Sequence, residues 1–271
     1  MKQRYLPALT LALLCSLALL CSLAVLAGCG RKDGNAAASA GNAATEYVVG
    51  ADGAYAPFAS ENEQKELVGF DIDIMKAVAD KAGLKIRIVN TPFDGLFNAL
   101  SQGDRDILIS TITINDQRRQ TMDFSEPYFV AKQLIVLPSS SKVAKFEDLK
   151  TLKIGVQSAT TADEAAQNLV GKNSPSVKRF ESMPLAFQEL EGGGVDAVIG
   201  DNGVVTNFVK NNPGKSFRIV NDPAFPKEYY GIAVKKGNAE LLAKLNHGLE
   251  QIKADGTQDR IYKKYFADEK L

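Results

Sequence analysis

Apolar and polar positions fall into three regimes along the chain. From Leu6 to Ala27 almost every residue is apolar. From Gly30 to Thr45 there is no large apolar side chain to bury. From Glu46 onward, short β-branched and aromatic runs alternate with stretches of helical period. The β-type runs are YVVGA (47–51), KIRIVN (85–90), DILIST (106–111), KQLIVL (132–137), KIGV (153–156), VKRF (177–180), DAVIG (196–200), FRIV (217–220) and YGIAV (230–234). Between them, 70–82 places Ile74, Val78 and Ala82 on one helical face. The segment 239–254 spaces Leu241, Leu242, Leu245, Leu249 and Ile252 in the same way, and 185–190 and 204–209 are shorter cases. Strands alternating with helices predict an α/β fold with largely parallel sheets. Breaks at 138–142 and 221–227, marked by Pro138, Pro223 and Pro226, separate a middle segment from two flanking ones. If both are crossovers, the middle segment forms one lobe and the flanks together form the other.

The first regime reads as a secretory signal: Lys2 and Arg4, then the apolar run, then small residues. Its length would also span a bilayer, so an uncleaved anchor is the competing reading. The ending Leu26-Ala27-Gly28-Cys29 resembles the bacterial lipoprotein signal. That resemblance implies a signal peptide over 1–28, a lipid such as palmitate on Cys29, and an extracytoplasmic product held at a bacterial membrane. Residues 29–45 then form a flexible tether, because they cannot offset their ordering entropy by burial. Cys15 and Cys21 would leave with the signal. The folded part then has no cysteine in an oxidising compartment and depends on packing.

Composition narrows the function classes. The 271 residues are 45% hydrophobic and 24% charged, as in a globular protein. Lys+Arg and Asp+Glu are equal at 32 each, without the basic excess of a nucleic-acid binder. A single His excludes a site built on several histidines, and neither a metal nor a cofactor is expected. No nucleophile-elbow, zinc-protease, phosphate-loop or dinucleotide motif occurs. His247 and Lys263-Lys264 read as solvated, and Gly192–Gly194 as a helix stop.

Several stretches in fixed order resemble the polar amino-acid solute-binding proteins of bacterial ABC importers. They are GADGAYAPF (50–58), GFDIDIMKAVA (69–79), FDGLFNALSQGDRDILIS (93–110), TITINDQRRQTMDFSEPYF (111–129), IGVQSATTADEA (154–165), GGGVDAVIGD (192–201) and KADGTQDRIYKKYF (253–266). The resemblance implies a type II-like clamshell with two crossover strands, each lobe a mostly parallel sheet flanked by helices. Lobe 1 would be 46–130 with 231–271, and lobe 2 would be 131–230. The expected function is capture of a free polar L-amino acid and its delivery to an ABC permease by a monomer. Basic ligands are favoured, with glutamine or cystine open. An enzyme on the same fold, similar to cyclohexadienyl dehydratase, and a ligand sensor are the alternatives.

The resemblance also assigns site residues. Arg118 stands where the family binds the ligand carboxylate, and a guanidinium fork suits that group. Thr113 and the backbone N–H of Thr161 join it. Thr161-Ala-Asp-Glu164 also fits a capping box, whose helix start offers free N–H groups to an anion. Asp201 is the expected partner of the ligand ammonium, with Thr111, although an acid there also suits a helix N-cap. Tyr55 and Phe93 match aromatics that sandwich the ligand side chain. Asp52 and Gln157 would meet its polar end. Ser158-Ala159 stands where many members have glycine.

Overall fold

The fold is that of a computed structural model, which describes residues 45–267. The signal, Cys29 and nearly all of the tether lie outside that range. The first segment runs β1 (Glu46–Ala51), β2 (Ala54–Tyr55), β3 (Ala59–Glu61), β4 (Leu67–Val68), α1 (Phe70–Ala82), β5 (Lys85–Asn90), α2 (Phe93–Gln102), β6 (Ile107–Leu108), α3 (Asp116–Arg119) and β7 (Met122–Phe124). After β8 (Phe129–Ala131) come β9 (Gln133–Pro138), β10 (Ile154–Gln157), α4 (Thr161–Val170), β11 (Val177–Phe180), α5 (Met183–Gly192), β12 (Ala197–Asp201), α6 (Asn202–Asn211) and β13 (Phe217–Val220). The chain ends with β14 (Glu228–Tyr230), β15 (Ala233–Lys235), α7 (Ala239–Ala254) and α8 (Thr257–Phe266).

Two five-stranded sheets, one per lobe, organise these elements. Their orders are β5-β1-β6-β15-β7 and β11-β10-β12-β9-β13. In each, two parallel pairings are followed by two antiparallel ones, so a single strand is reversed: β15 in the first sheet and β9 in the second. The expectation of largely parallel sheets therefore holds for four strands of five. The exception has a topological cause. Each reversed strand is the first to enter its sheet after the chain crosses between lobes.

The crossing is made by β8 and β14, which pair antiparallel with each other outside both sheets. The break at 138–142 comes later, after β9 has joined the second sheet. YGIAV does not form one strand. Residues 228–230 pair with β8, 233–235 pair in the first sheet, and the chain turns between them. DILIST contributes only Ile107–Leu108, because the chain bends away from Ser110 toward Thr113.

Aromatic packing fixes the crossing. Phe129 of β8 and Tyr230 of β14 stack at 5.5 Å between centroids. Phe58, Phe70 and Phe266 meet Phe129 edge-on or tilted at 5.1 to 5.3 Å. Such pairs add about 0.5–1.5 kcal/mol each beyond area burial. Across from this cluster, Gly203 at the start of α6 leaves room for Phe58 and Phe266, which a Cβ there would crowd. The second sheet buries its own face through Ile135, Leu137, Ile154, Val156 and Ile199. Both cores thus hold rigid sheets whose strand ends converge on the gap between the lobes.

Candidate functional site

Arg118 sits in α3, a one-turn helix capped by Asn115, whose side chain accepts the Arg118 N–H at 2.8 Å. The cap orients the turn so that the guanidinium points inward, where it is buried. One amino group donates to the Thr113 carbonyl at 2.9 Å, and the other reaches the Ala159 carbonyl of the second lobe at 3.2 Å. The Phe97 and Phe93 rings lie 5.1 and 5.8 Å from its central carbon. Burial pulls its pKa below the usual value, opposed by Glu164, Glu228 and Asp201. Two of five N–H donors are committed, so the fork retains capacity for an anion.

Asp201 ends β12 and directly precedes α6, but its side chain makes no cap bond. It accepts instead from the Tyr55 hydroxyl at 2.7 Å and from Gln133 Nε2 at 2.5 Å. Burial raises its pKa to about 6, with Glu228 adding to the rise and the Tyr230, Tyr55 and Gln133 groups opposing it. Arg118 from the first lobe and Asp201 from the second line one cavity. Tyr55, Phe93, Thr111, Thr113, Gln157, Thr160 and Thr161 line it too. Its free volume is about 10 Å³, room for roughly one water. An amino acid enters this space only if the lobes part or the Tyr55 and Gln133 side chains swing aside.

The α4 terminus corrects the expected cap by one residue. Thr160 is the N-cap, its hydroxyl accepting the Asp163 N–H at 3.2 Å. Thr161 is the first helical residue, where the backbone N–H has no intrahelical partner. Ala159, just before the Thr160 cap, adopts φ 62°, a left-handed conformation that explains why glycine suits the position. Thr111 also has a positive φ of 48°, rare for a β-branched residue. Its N–H is held by the buried Asp71 carboxylate at 2.8 Å, and its hydroxyl donates to the Ser110 carbonyl. Burial raises Asp71 to about 7.

Asp52 stands one layer behind the cavity wall. It accepts Gln157 Nε2 at 2.8 Å, and burial raises its pKa. Gln157 also donates to the Glu181 carbonyl at 3.0 Å, so both amide hydrogens are engaged on the same side. Its Oε1 is buried without a hydrogen-bond partner. Phe93 packs edge-on against Phe97 at 5.4 Å as well as against Arg118.

Two residues were not anticipated. Gln133 opens β9 and Glu228 opens β14, and both are buried. Gln133 Nε2 lies 3.1 Å from Glu228 Oε1, and the Thr113 and Thr161 hydroxyls donate to Glu228 Oε2 at 2.5 and 2.9 Å. The available signal was a polar residue opening each apolar run, QLIVLP and EYYGIAV. Among the described residues, no cluster of His, Cys, Asp and Glu could hold a metal ion.

Residues 47–268 match the model of the bacterial extracellular solute-binding proteins, family 3. The chain is 44% identical over 242 residues to a probable histidine-binding protein of Neisseria gonorrhoeae, covering 89% of this chain and 90% of that one. Its fold is similar to the arginine-, lysine-, histidine-binding protein of Geobacillus stearothermophilus, with a TM-score of 0.80 and 44% identity over 83% of this chain and 97% of that one. An ancestral arginine-binding protein solved with arginine has a TM-score of 0.78 and 43% identity, over 82% and 98% of the two chains.

Proposed function

Because the chain belongs to the bacterial extracellular solute-binding proteins of family 3, we propose that it captures a basic L-amino acid between its lobes and hands it to an ABC permease. The observation that carries this reading is the convergence of Arg118 and Asp201, from different sheets, on one buried cavity. A zwitterion supplies the missing partner to each. Its carboxylate pairs with the Arg118 fork, Thr113 and the free N–H of Thr161, and its ammonium pairs with Asp201 beside Thr111. Desolvating either charge alone would be costly, so only a ligand carrying both satisfies the site.

The side-chain end favours a cation. Asp52 draws the Gln157 amide N–H toward itself and leaves an acceptor oxygen without a donor. Buried Asp201 and Glu228 both act on the one guanidinium at the site, Arg118, and buried Asp52 lies behind the cavity wall beside Gln157. A guanidinium, ammonium or imidazolium held between Tyr55 and Phe93 offsets that excess and gains cation–π energy. Relatives named for histidine, arginine and lysine support the same class. Their names as binding proteins also support capture over catalysis.

In this reading lobe 1 comprises 46–130 with 231–271, lobe 2 comprises 131–230, and closure is a population shift stabilised by contacts to both. The monomer is tethered through lipidated Cys29, which keeps it near its permease. The test is a thermal-shift panel of the twenty L-amino acids on refolded 46–271. Arginine, lysine or histidine at a hundredfold excess over Kd stabilises by about 2.7 kcal/mol. A flat response across the panel from well-folded protein sinks the proposal.

A further inference from the structure

Glu228 is assigned no ligand atom in the amino-acid-binding scheme, although its charge counts toward the acidic excess of the site. It lies on crossover strand β14, buried, with no cation within ion-pair distance among the described residues. Its Oε2 accepts two hydroxyls at once. Thr113 belongs to the segment between β6 and α3 of the first lobe. Thr161 is the first residue of α4 in the second. Its Oε1 is met by Gln133, which also donates to Asp201. A continuous network therefore runs from Tyr55 through Asp201, Gln133 and Glu228 to both threonines.

We infer that Glu228 is a positioning residue that latches the closed form by holding Thr113 and Thr161 to one carboxylate oxygen. The geometry leaves little alternative. Two hydroxyls at 2.5 and 2.9 Å from the same atom lie close together. Whichever lobe β14 follows when the cleft opens, one of the two bonds breaks. Hydrogen bonds to a charged acceptor are among the stronger ones, so the shared oxygen biases the hinge toward closure. The same bonds orient two residues assigned to the ligand carboxylate: Thr113, whose own carbonyl also holds Arg118, and Thr161, whose N–H heads α4. The inference rests on the capture reading for its ligand readout, but not for its conformational one.

The experiment pairs Glu228→Gln with Thr161→Val and the double variant, each checked for native circular dichroism and melting. Glu228→Gln keeps the shape and removes the charge. If it fails to fold, Thr161→Val alone carries the same readouts. With L-arginine as probe, stopped-flow fluorescence should show koff rising about tenfold in either single variant. The association rate should stay within about twofold. The double variant should be no worse than the poorer single one, since both cut the same bridge. Small-angle scattering without amino acid should show a larger radius of gyration in Glu228→Gln. Unchanged koff, additive losses, or an unchanged radius overturns the latch. If the wild type binds no amino acid, the capture reading fails, and the scattering comparison still decides the latch.

Discussion

At the residue scale, the site is a set of charges that this chain leaves incompletely matched. Arg118 is buried, stacked on Phe97 and bonded to two carbonyls, yet no carboxylate lies within ion-pair distance of it among the described residues. In the proposed scheme the ligand carboxylate completes it. Arg118→Ala removes one partner of that buried pair, which costs about 3–5 kcal/mol of binding. The ligand-free melting temperature should change little, because the substitution also removes a desolvated cation. Titration calorimetry with arginine, beside a melting curve, separates the two effects. Near-normal affinity in Arg118→Ala would place the carboxylate elsewhere. Arg118→Lys should rescue poorly, since a point charge cannot reproduce the planar fork.

At the scale of elements, legibility followed how locally each one is determined. The helices 70–82 and 239–254 and the strands 85–90, 177–180 and 217–220 were readable to the residue because their periodicity is self-contained. DILIST and YGIAV were not, since both bend where two sheets and a crossover compete for the same backbone. The three-stranded β2-β3-β4 sheet was missed because its strands are two or three residues long. Arg118, Asp201 and Thr161 came from a motif resemblance that the cavity brings together. Glu228 and Gln133 escaped because their partners lie far away in sequence. Packing between elements makes its own prediction. Gly248 of α7 faces α1 so closely that a Cβ would stand 2.5 Å from the Val78 carbonyl. Gly248→Ala should therefore lower stability by about 1–3 kcal/mol despite better helix propensity. Neither helix lines the cavity, so the ligand-induced rise in melting temperature should survive. An unchanged or higher melting point would show that the helices can separate at little cost.

At the scale of the whole molecule, the buried carboxylates should make folding and the proposed ligand binding respond to pH in opposite directions. An aspartate in the unfolded chain titrates near 3.9. Asp201 is raised to about 6 and Asp71 to about 7, chiefly by burial. Both therefore bind a proton more tightly when folded. The stability this contributes is complete below about pH 4 and is lost as pH rises through 6 to 7. Under the proposed pairing ligand capture should run the other way, because an ammonium prefers ionised Asp201. At pH 5 about a tenth of a carboxyl with that pKa is ionised, and at pH 7 about nine-tenths, so affinity should rise about tenfold across the interval. L-arginine is the right probe, since none of its own groups titrates there, whereas the imidazole of L-histidine does. Calorimetry in buffers of different ionisation enthalpy should also detect close to one proton released per arginine bound near pH 5. Asp201→Asn should bind weakly and lose both the slope and the proton. A wild-type affinity that stays flat from pH 5 to 7 would mean that the ammonium is held by another group, and the pairing of Arg118 with Asp201 across the cleft would fail with it.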